Sequence, residues 1–261
     1  MQHVWLQDLT WPEIKERLDA GLKDILVPAG STEQHGHHMP LGVDTFIPEW
    51  VAREVAARTG TLIAPPIWFS TAEHHMGFPG TITLRSETLM AVVRDIVHSL
   101  SRHGFRNIIL LNGHTSGSSP ALLAATDEIQ RELPGVRVFT VDMVEMAREE
   151  ILGCAETEIL FHADEIEASQ MLVARPDLVQ LDKAVAVDPK PPSRFMAMGT
   201  RAVHDRVHLR HTPEEWRELT PYGHIGDPAA ATEEKGRVMM EALVDNISAF
   251  IEEVRKMPHS R

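Results

Sequence analysis

"NIILLNG", residues 107–113, is the stretch on which the fold turns. Ile108 to Leu111 form an unbroken aliphatic run with no polar alternation, the pattern of a strand buried on both faces. Asn112 and Gly113 close it, and "SPALLAATDEIQREL" (119–133) follows with helical spacing. "VRVFTVD" (136–142) reads as the next strand. Upstream, "DILVPAG" (24–30) is a second short buried run ending in Gly, and "TLIAPPIW" (61–68) a third. Between these two, "IPEWVAREVAARTG" (47–60) places Trp50, Val51, Val55 and Ala56 at helical spacing. "SETLMAVVRDIVHSLSRHG" (86–104) is an amphipathic helix with Ser86 as N-cap and Gly104 as C-cap. Strands and helices in alternation imply an α/β fold, a mostly parallel sheet covered on both faces. Ligands of such sheets sit at the carboxyl ends of the strands. The loops after residues 30 and 112 therefore belong at the same end.

The remainder of the chain is less regular between residues 176 and 228, with "DPKPPS" (188–193) as a loop. "ATEEKGRVMMEALVDNISAFIEEVRKM" (231–257) reads as a long helix apart from Gly236. With no internal repeat and no linker, one domain over residues 1–261 is expected. The length supports a sizeable core, and 43% hydrophobic with 24% charged residues is ordinary for a globular chain. A net charge of -13 without any dense basic run excludes a nucleic-acid partner. No basic-then-apolar leader is present, and no apolar run approaches the roughly 20 residues that cross a bilayer. Cys154 is the single cysteine, so no intramolecular disulfide can form. The expectation is a soluble, cytoplasmic protein with neither nucleic-acid nor membrane partner.

The chemistry concentrates in "STEQHGHHMPLGVD" (31–44). Side chains two apart in an extended segment share a direction, so Glu33 and His35 can face one cavity, and the Pro40–Gly42 turn can return Asp44 to it. Carboxylates with imidazole and no thiolate suit Zn²⁺, Mn²⁺ or Fe²⁺. A shared Asp can bridge two ions about 3.5–4 Å apart. A charged surface loop is the alternative for this stretch alone. His114 lies on a Gly-flanked loop at the end of the best strand, where it either does chemistry or satisfies a turn. His162, Asp164, Glu165 and Glu167 cluster at the start of a helix, where acids are favoured by the helix dipole in any case.

These stretches carry a family resemblance. "STEQHGHHMPLGVD" resembles the E-x-H-G-x-H-L-P-x-x-x-D signature of the creatininase family of metal hydrolases. "FPGTITL" (78–84), "NGH" (112–114), "HADEIEAS" (162–169) and "GHIGDPAAATEEKG" (223–236) follow in the family's order. The resemblance implies a three-layer α/β/α fold, two divalent ions per chain and a homo-oligomer, often a hexamer. By position it implies that Glu33 and His114 hold one metal, His35 the other, and Asp44 both. Creatininase itself takes a further glutamate two residues past the NGH histidine, where this chain has Ser116. Other members draw a carboxylate from the H-A-G-x-x-E segment, which points to Glu167, with Glu165 as second choice. Two residues apart on a helix, these acids lie about 200° apart, so both do not face one metal. Asp164 stands where the family usually has Gly.

The implied activity is hydrolysis of an amide (C–N) bond in a small, polar, cyclic substrate by metal-activated water, with Asp44 and His162 as catalytic residues and His162 moving the proton. His37, His75 and Ser116 are substrate-contact candidates, and His74 precedes the "MGFPGT" loop at the pocket entrance. His204, His208 and His211 have helical spacing and read as a solvated or interface surface. The family also acts on formamides and on C–C bonds of cyclic diketones, so the fold does not select the bond. A non-catalytic metal-binding protein is the reading from another class. A dinucleotide site is excluded, because no G-x-G-x-x-G follows the first strand.

Overall fold

The structure, a computed structural model, describes residues 3–190, 193 and 209–258; of Ser116 it describes the backbone only. Four strands, β1 (Asp24–Ala29), β2 (Leu62–Ile63), β3 (Asn107–Asn112) and β4 (Arg137–Asp142), run parallel in the order β2-β1-β3-β4. Ile25 pairs with Ile108 in one register and Ile108 with Val138 in the next. Alternate residues enter opposite faces. Leu26, Ile63, Ile109 and Leu111 point into one core, while Ile25, Val27, Leu62, Ile108 and Leu110 point into the other. That double burial explains the absence of polar alternation in "NIILLNG".

Helices α1 (Trp11–Asp19), α2 (Val43–Thr59), α3 (Ser86–His103), α4 (Thr115–Glu132), α5 (Met143–Met146), α6 (Arg148–Cys154), α7 (Glu165–Ala174), α8 (Pro213–Leu219) and α9 (Glu233–Lys256) surround the sheet. The first core takes Val51 and Val55 of α2, Met171 of α7, and Leu243, Val244 and Ile247 of α9. The second takes Leu89, Val93 and Val97 of α3 with Leu122 and Ile129 of α4. Each such fully buried aliphatic side chain contributes about 1.5–3 kcal/mol by leaving water. The result is a three-layer α/β/α arrangement. A separate antiparallel pair, β5 (Leu160–His162) and β6 (Ile225–Gly226), lies outside the main sheet.

Chain order sets where the site forms. From β1 the chain moves to β2 through α2 on one face; from β3 it moves the other way to β4 through α4 on the opposite face. The strand order therefore reverses between β1 and β3. In parallel sheets that reversal opens a crevice beyond the strands' carboxyl ends, where ligands bind.

Several boundaries differ from the sequence reading. α2 begins at Val43, not residue 47, so Asp44 lies inside its first turn. Gly42 precedes that turn without a side-chain cap, which left no local signal for the start. α4 likewise starts at Thr115 after His114, and α3 takes Arg85 as its N-cap, so Ser86 is the first helical residue. The strand expected over 61–68 shrinks to Leu62–Ile63, because Pro65 and Pro66 offer no N–H to a ladder. α9 runs straight through Gly236, where a Cβ would lie 2.0 Å from the Ser169 carbonyl oxygen of α7. Glycine there lets the two helices touch, at a helix-propensity cost of about 1 kcal/mol.

Candidate metal centre

Asp44 is the hub. The first turn of α2 lies across the ends of β1 and β3 so closely that a Cβ on Gly113 would sit 2.1 Å from the Asp44 carbonyl oxygen. The Asp44 carboxylate is buried, and its two oxygens face two different histidines. Oδ1 is 3.0 Å from His35 Nε2, and Oδ2 is 3.1 Å from His114 Nδ1. Glu33 joins the second group, with Oε2 3.2 Å from His114 Nδ1. Glu167, third residue of α7, joins the first, with Oε2 3.7 Å from His35 Nε2. Glu33, Asp44 and His114 thus form one group of converging donor atoms, and His35, Asp44 and Glu167 another.

The imidazoles are held by their far nitrogens. His35 Nδ1 lies 3.1 Å from the Glu33 carbonyl oxygen and His114 Nε2 3.0 Å from that of Thr71. A carbonyl only accepts, so each ring donates one N–H outward, and its inner nitrogen, when deprotonated, turns a lone pair toward the carboxylates. Lone pair facing carboxylate is repulsive unless a cation lies between, and an N–H held by a carbonyl is the usual support of a metal-binding histidine. Glu33 Oε1, Glu33 Oε2 and Asp44 Oδ2 are buried without a hydrogen bond among the described residues. Leaving such acceptors unsatisfied is costly. The donor set fits divalent cations.

Titration behaviour in the metal-free centre points the same way. Burial disfavours a charged His35, yet Asp44, Glu167 and Glu33 hold its pKa up at about 10. His114 is raised well above the ordinary value against the same burial, by Glu33 and Asp44. Burial pushes Asp44 up, but His35 and His114 outweigh it and hold the carboxyl below the usual range. Burial lifts Glu167 to about 8, with Asp44 and Asp164 adding to it and His35 opposing. The centre retains positive charge, as protons when no ion is there.

Around these five residues lies a buried histidine layer. The His162 ring is 4.6 Å from that of His35 and 4.5 Å from that of His75, and its Nδ1 is 3.9 Å from Glu33 Oε1. Burial and, next, the positive neighbours push His162 and His75 well below the ordinary histidine value, so both are neutral. His75 packs behind Glu33, its Nε2 3.2 Å from Oε1. His74 rests against Trp216 of α8. His37 is exposed and meets Tyr222 edge-on, whereas His38 is buried and bonds the Ala163 carbonyl at 3.0 Å. Ala163 has φ 50°, a left-handed conformation rare outside glycine, and its N–H is held by the Glu167 carboxylate.

The two acids of α7 part company. Asp164 caps the helix by accepting from the N–H groups of Ile166 and Glu167. Glu165 turns away from the centre to Lys235 at 2.7 Å and to the backbone of Glu156 and Thr157. Only Glu167 reaches His35, as the separation of about 200° requires. His211 lies beside Glu215 and Trp216. His204, His208 and the side chain of Ser116 lie outside the described residues. The sequence reading missed Gln34, buried between Glu33 and His35 and bonded to the histidine layer. A polar residue wedged between two candidate ligands was the available signal.

A family model described as creatininase, creatinine amidohydrolase, matches residues 7–251. The chain is 32% identical to creatinine amidohydrolase of Pseudomonas putida, over 96% of both proteins. It is 30% identical to 3-dehydro-scyllo-inosose hydrolase of Thermotoga maritima, covering 96% of this chain and 83% of that one. It is also 30% identical to the mycofactocin precursor peptide peptidase of Mycobacterium ulcerans, covering 91% and 83%. A creatinine amidohydrolase crystal structure superposes with TM-score 0.85 at 27% identity, covering 99% of this chain and all of that one. A manganese creatininase gives TM-score 0.85 at 28% identity, and a variant of Zn–Zn type 0.84 at 28%, each covering 98% of this chain and all of its own. The fold, the order of the motifs and these matches place the chain in the creatininase family of metal-dependent amidohydrolases.

Proposed function

We propose that this protein hydrolyses an amide (C–N) bond of a small, polar, cyclic substrate at a two-ion centre. Glu33, Asp44 and His114 would hold one ion; His35, Asp44 and Glu167 would hold the other. The observation that carries this reading is the split of the Asp44 carboxylate, one oxygen toward each histidine. Divalent ions bound there supply Lewis acidity, polarising a carbonyl and lowering the pKa of water to about 7. Glu167 takes the place that a glutamate at position 116 would fill. Zn²⁺ and Mn²⁺ are the first choices, since relatives are described with each, and Fe²⁺ is the third.

The chain's own residues do the rest. His162, neutral and buried beside the centre, takes the proton of the attacking water and passes it to the leaving nitrogen. Asp44 fixes the geometry of both halves of the site. His37, exposed at the rim, contacts substrate, with Ser116 and His75 as further contacts. We assign the enzyme to the cytosol as a homo-oligomer, with a hexamer as the first assembly to seek by sedimentation.

A second reading keeps the site and changes the bond. The relative named for 3-dehydro-scyllo-inosose matches nearly as well as the one named for creatinine, which favours testing cyclic diketones and formamides beside cyclic amides. A panel of these three classes assayed with parent and Asp44→Asn decides the matter. We expect one class to be turned over by the parent. The variant should lose more than the about 10–100-fold that removing an outer partner of a metal ligand costs. Full activity in the variant would end the two-ion reading, and no turnover of any class by the metal-loaded parent would leave a metal-binding protein without catalysis.

A further inference from the structure

Gln34 stands between two residues of the centre in sequence and reaches three further groups in space. Its side-chain nitrogen is 2.5 Å from the Gly223 carbonyl oxygen, 2.7 Å from His75 Nδ1 and 2.9 Å from His162 Nε2. Its side-chain oxygen accepts from the Gly36 N–H at 3.0 Å. The amide cannot be turned over. Reversed, its NH₂ would face the Gly36 N–H and its oxygen would face the Gly223 carbonyl, donor against donor and acceptor against acceptor. Gly223 is bare for the same purpose, since a Cβ there would lie 1.9 Å from Gln34 Oε1.

An amide nitrogen carries two protons, and three groups compete for them. The Gly223 carbonyl can only accept, so it takes one. Among the described residues His75 Nδ1 has no other partner that could receive a proton from it, and at 2.7 Å from an NH₂ it must be bare; it takes the second. His162 Nε2 has a different outlet, the Gln34 main-chain carbonyl at 2.9 Å, and so keeps its own proton and donates it there. The Gln34 amide then has both protons and its oxygen paired, as buried polar groups require. The count leaves the His75 proton on Nε2, 3.2 Å from Glu33 Oε1, and leaves His162 with a bare Nδ1 on the side of Glu33.

We infer that Gln34 is a positioning residue that sets the tautomers of two histidines of the centre, His75 as the Nε2–H form and His162 as the form with a free Nδ1. The inference rests on the metal-centre reading for its consequence, though not for its geometry. The His75 Nε2–H faces Glu33 Oε1 at 3.2 Å without bonding it, while Oε2 of the same carboxylate is turned to His114. The bare Nδ1 of His162 is what a proton acceptor at the centre needs.

The test is ¹⁵N NMR of histidine-labelled protein, metal-free and Zn²⁺-loaded, with the two rings assigned from His75→Gln and His162→Gln. The parent should show both rings protonated on Nε2 with unprotonated Nδ1. Gln34→Glu keeps the shape but presents a second acceptor to His75, so its proton should move to Nδ1. Gln34→Leu should loosen both tautomers and weaken Zn²⁺, measured by competition with a chelator, by about 10–100-fold, the usual effect of losing an outer partner. A parent His75 protonated on Nδ1, or tautomers unmoved in both variants, would overturn the inference. The parent spectrum needs no Gln34 variant to fold. The expected tautomers in a protein that takes up no Zn²⁺ would uphold Gln34's role and refute the metal centre; Zn²⁺ uptake with other tautomers would do the reverse.

Discussion

Glu165 and Glu167 are two residues apart, both acidic, and built for different work. Glu167 faces His35 and belongs to the centre, while Glu165 holds Lys235 and the backbone of the preceding loop. Lys235 keeps Glu156 as a second partner, but without Glu165 the N–H groups of Glu156 and Thr157 lose their acceptor, at a cost of about 1–3 kcal/mol. Glu165→Ala should therefore lower the melting temperature of the metal-free protein and leave its ion count unchanged. Glu167→Ala removes the acceptor of the Ala163 N–H and one support of the His35 proton, so it should lower metal-free stability as well, while the ion count falls. Calorimetry with metal analysis on both variants checks this, and the opposite pattern of ion counts would exchange their roles. The sequence narrowed the choice to these two, but only the packing of α7 against α2 and α9 showed which acid faces which way.

At the scale of elements, the site depends on how closely helices approach. α7 carries Glu167, and α9 presses on it through Gly236. Gly236→Ala forces a methyl group onto the Ser169 carbonyl, and overpacking of this kind costs about 1–3 kcal/mol. Because relief requires α7 to shift, the variant should also bind its metal more weakly, whereas Gly153→Ala, with open space around its Cβ position, should change neither. Denaturant unfolding and metal titration of the pair measure it. The element boundaries divide along similar lines. β1, β3, β4 and α3 were legible because apolar runs and flanking glycines are local signals. The starts of α2 and α4 were not, because neither carries a side-chain cap and tertiary packing at the crevice sets them.

For the whole molecule, the buried ionisable groups give stability a maximum. His38 and His74, held near about 4 and about 3 by burial first and positive neighbours next, are neutral in the fold, as are His75 and His162. Their pKa values are depressed, so their contribution is complete above about 6.5 and falls as pH drops toward the folded values. His35 and Glu167 are raised, to about 10 and about 8, so theirs is complete below the unfolded values and is lost as pH rises through the folded ones. Metal-free protein should thus be most stable near neutral pH and lose stability on both sides. On the proposed two-ion reading divalent ions would replace the retained protons, so added Zn²⁺ should remove most of the alkaline decline and, at 100 times its Kd, add about 2.7 kcal/mol. Melting curves from pH 5 to 9 with and without Zn²⁺ show whether the two arms respond differently; equal response would mean that the ion binds elsewhere.

The positions from Glu33 to Asp44 could be read from one loop because the motif places them in order. Their partner His114 is 70 residues farther on, joined by strand order alone, and the partners of the Gln34 side-chain nitrogen lie 41 to 189 residues away, beyond the reach of a local pattern. The measurement that tests the account most directly is metal content per chain of freshly purified parent, Glu167→Ala and Asp44→Asn. Two groups of ligands sharing Asp44 require about two ions in the parent, about one in Glu167→Ala and fewer than the parent in Asp44→Asn. A parent with one ion or none, or a Glu167→Ala variant with the parent's count, would contradict it.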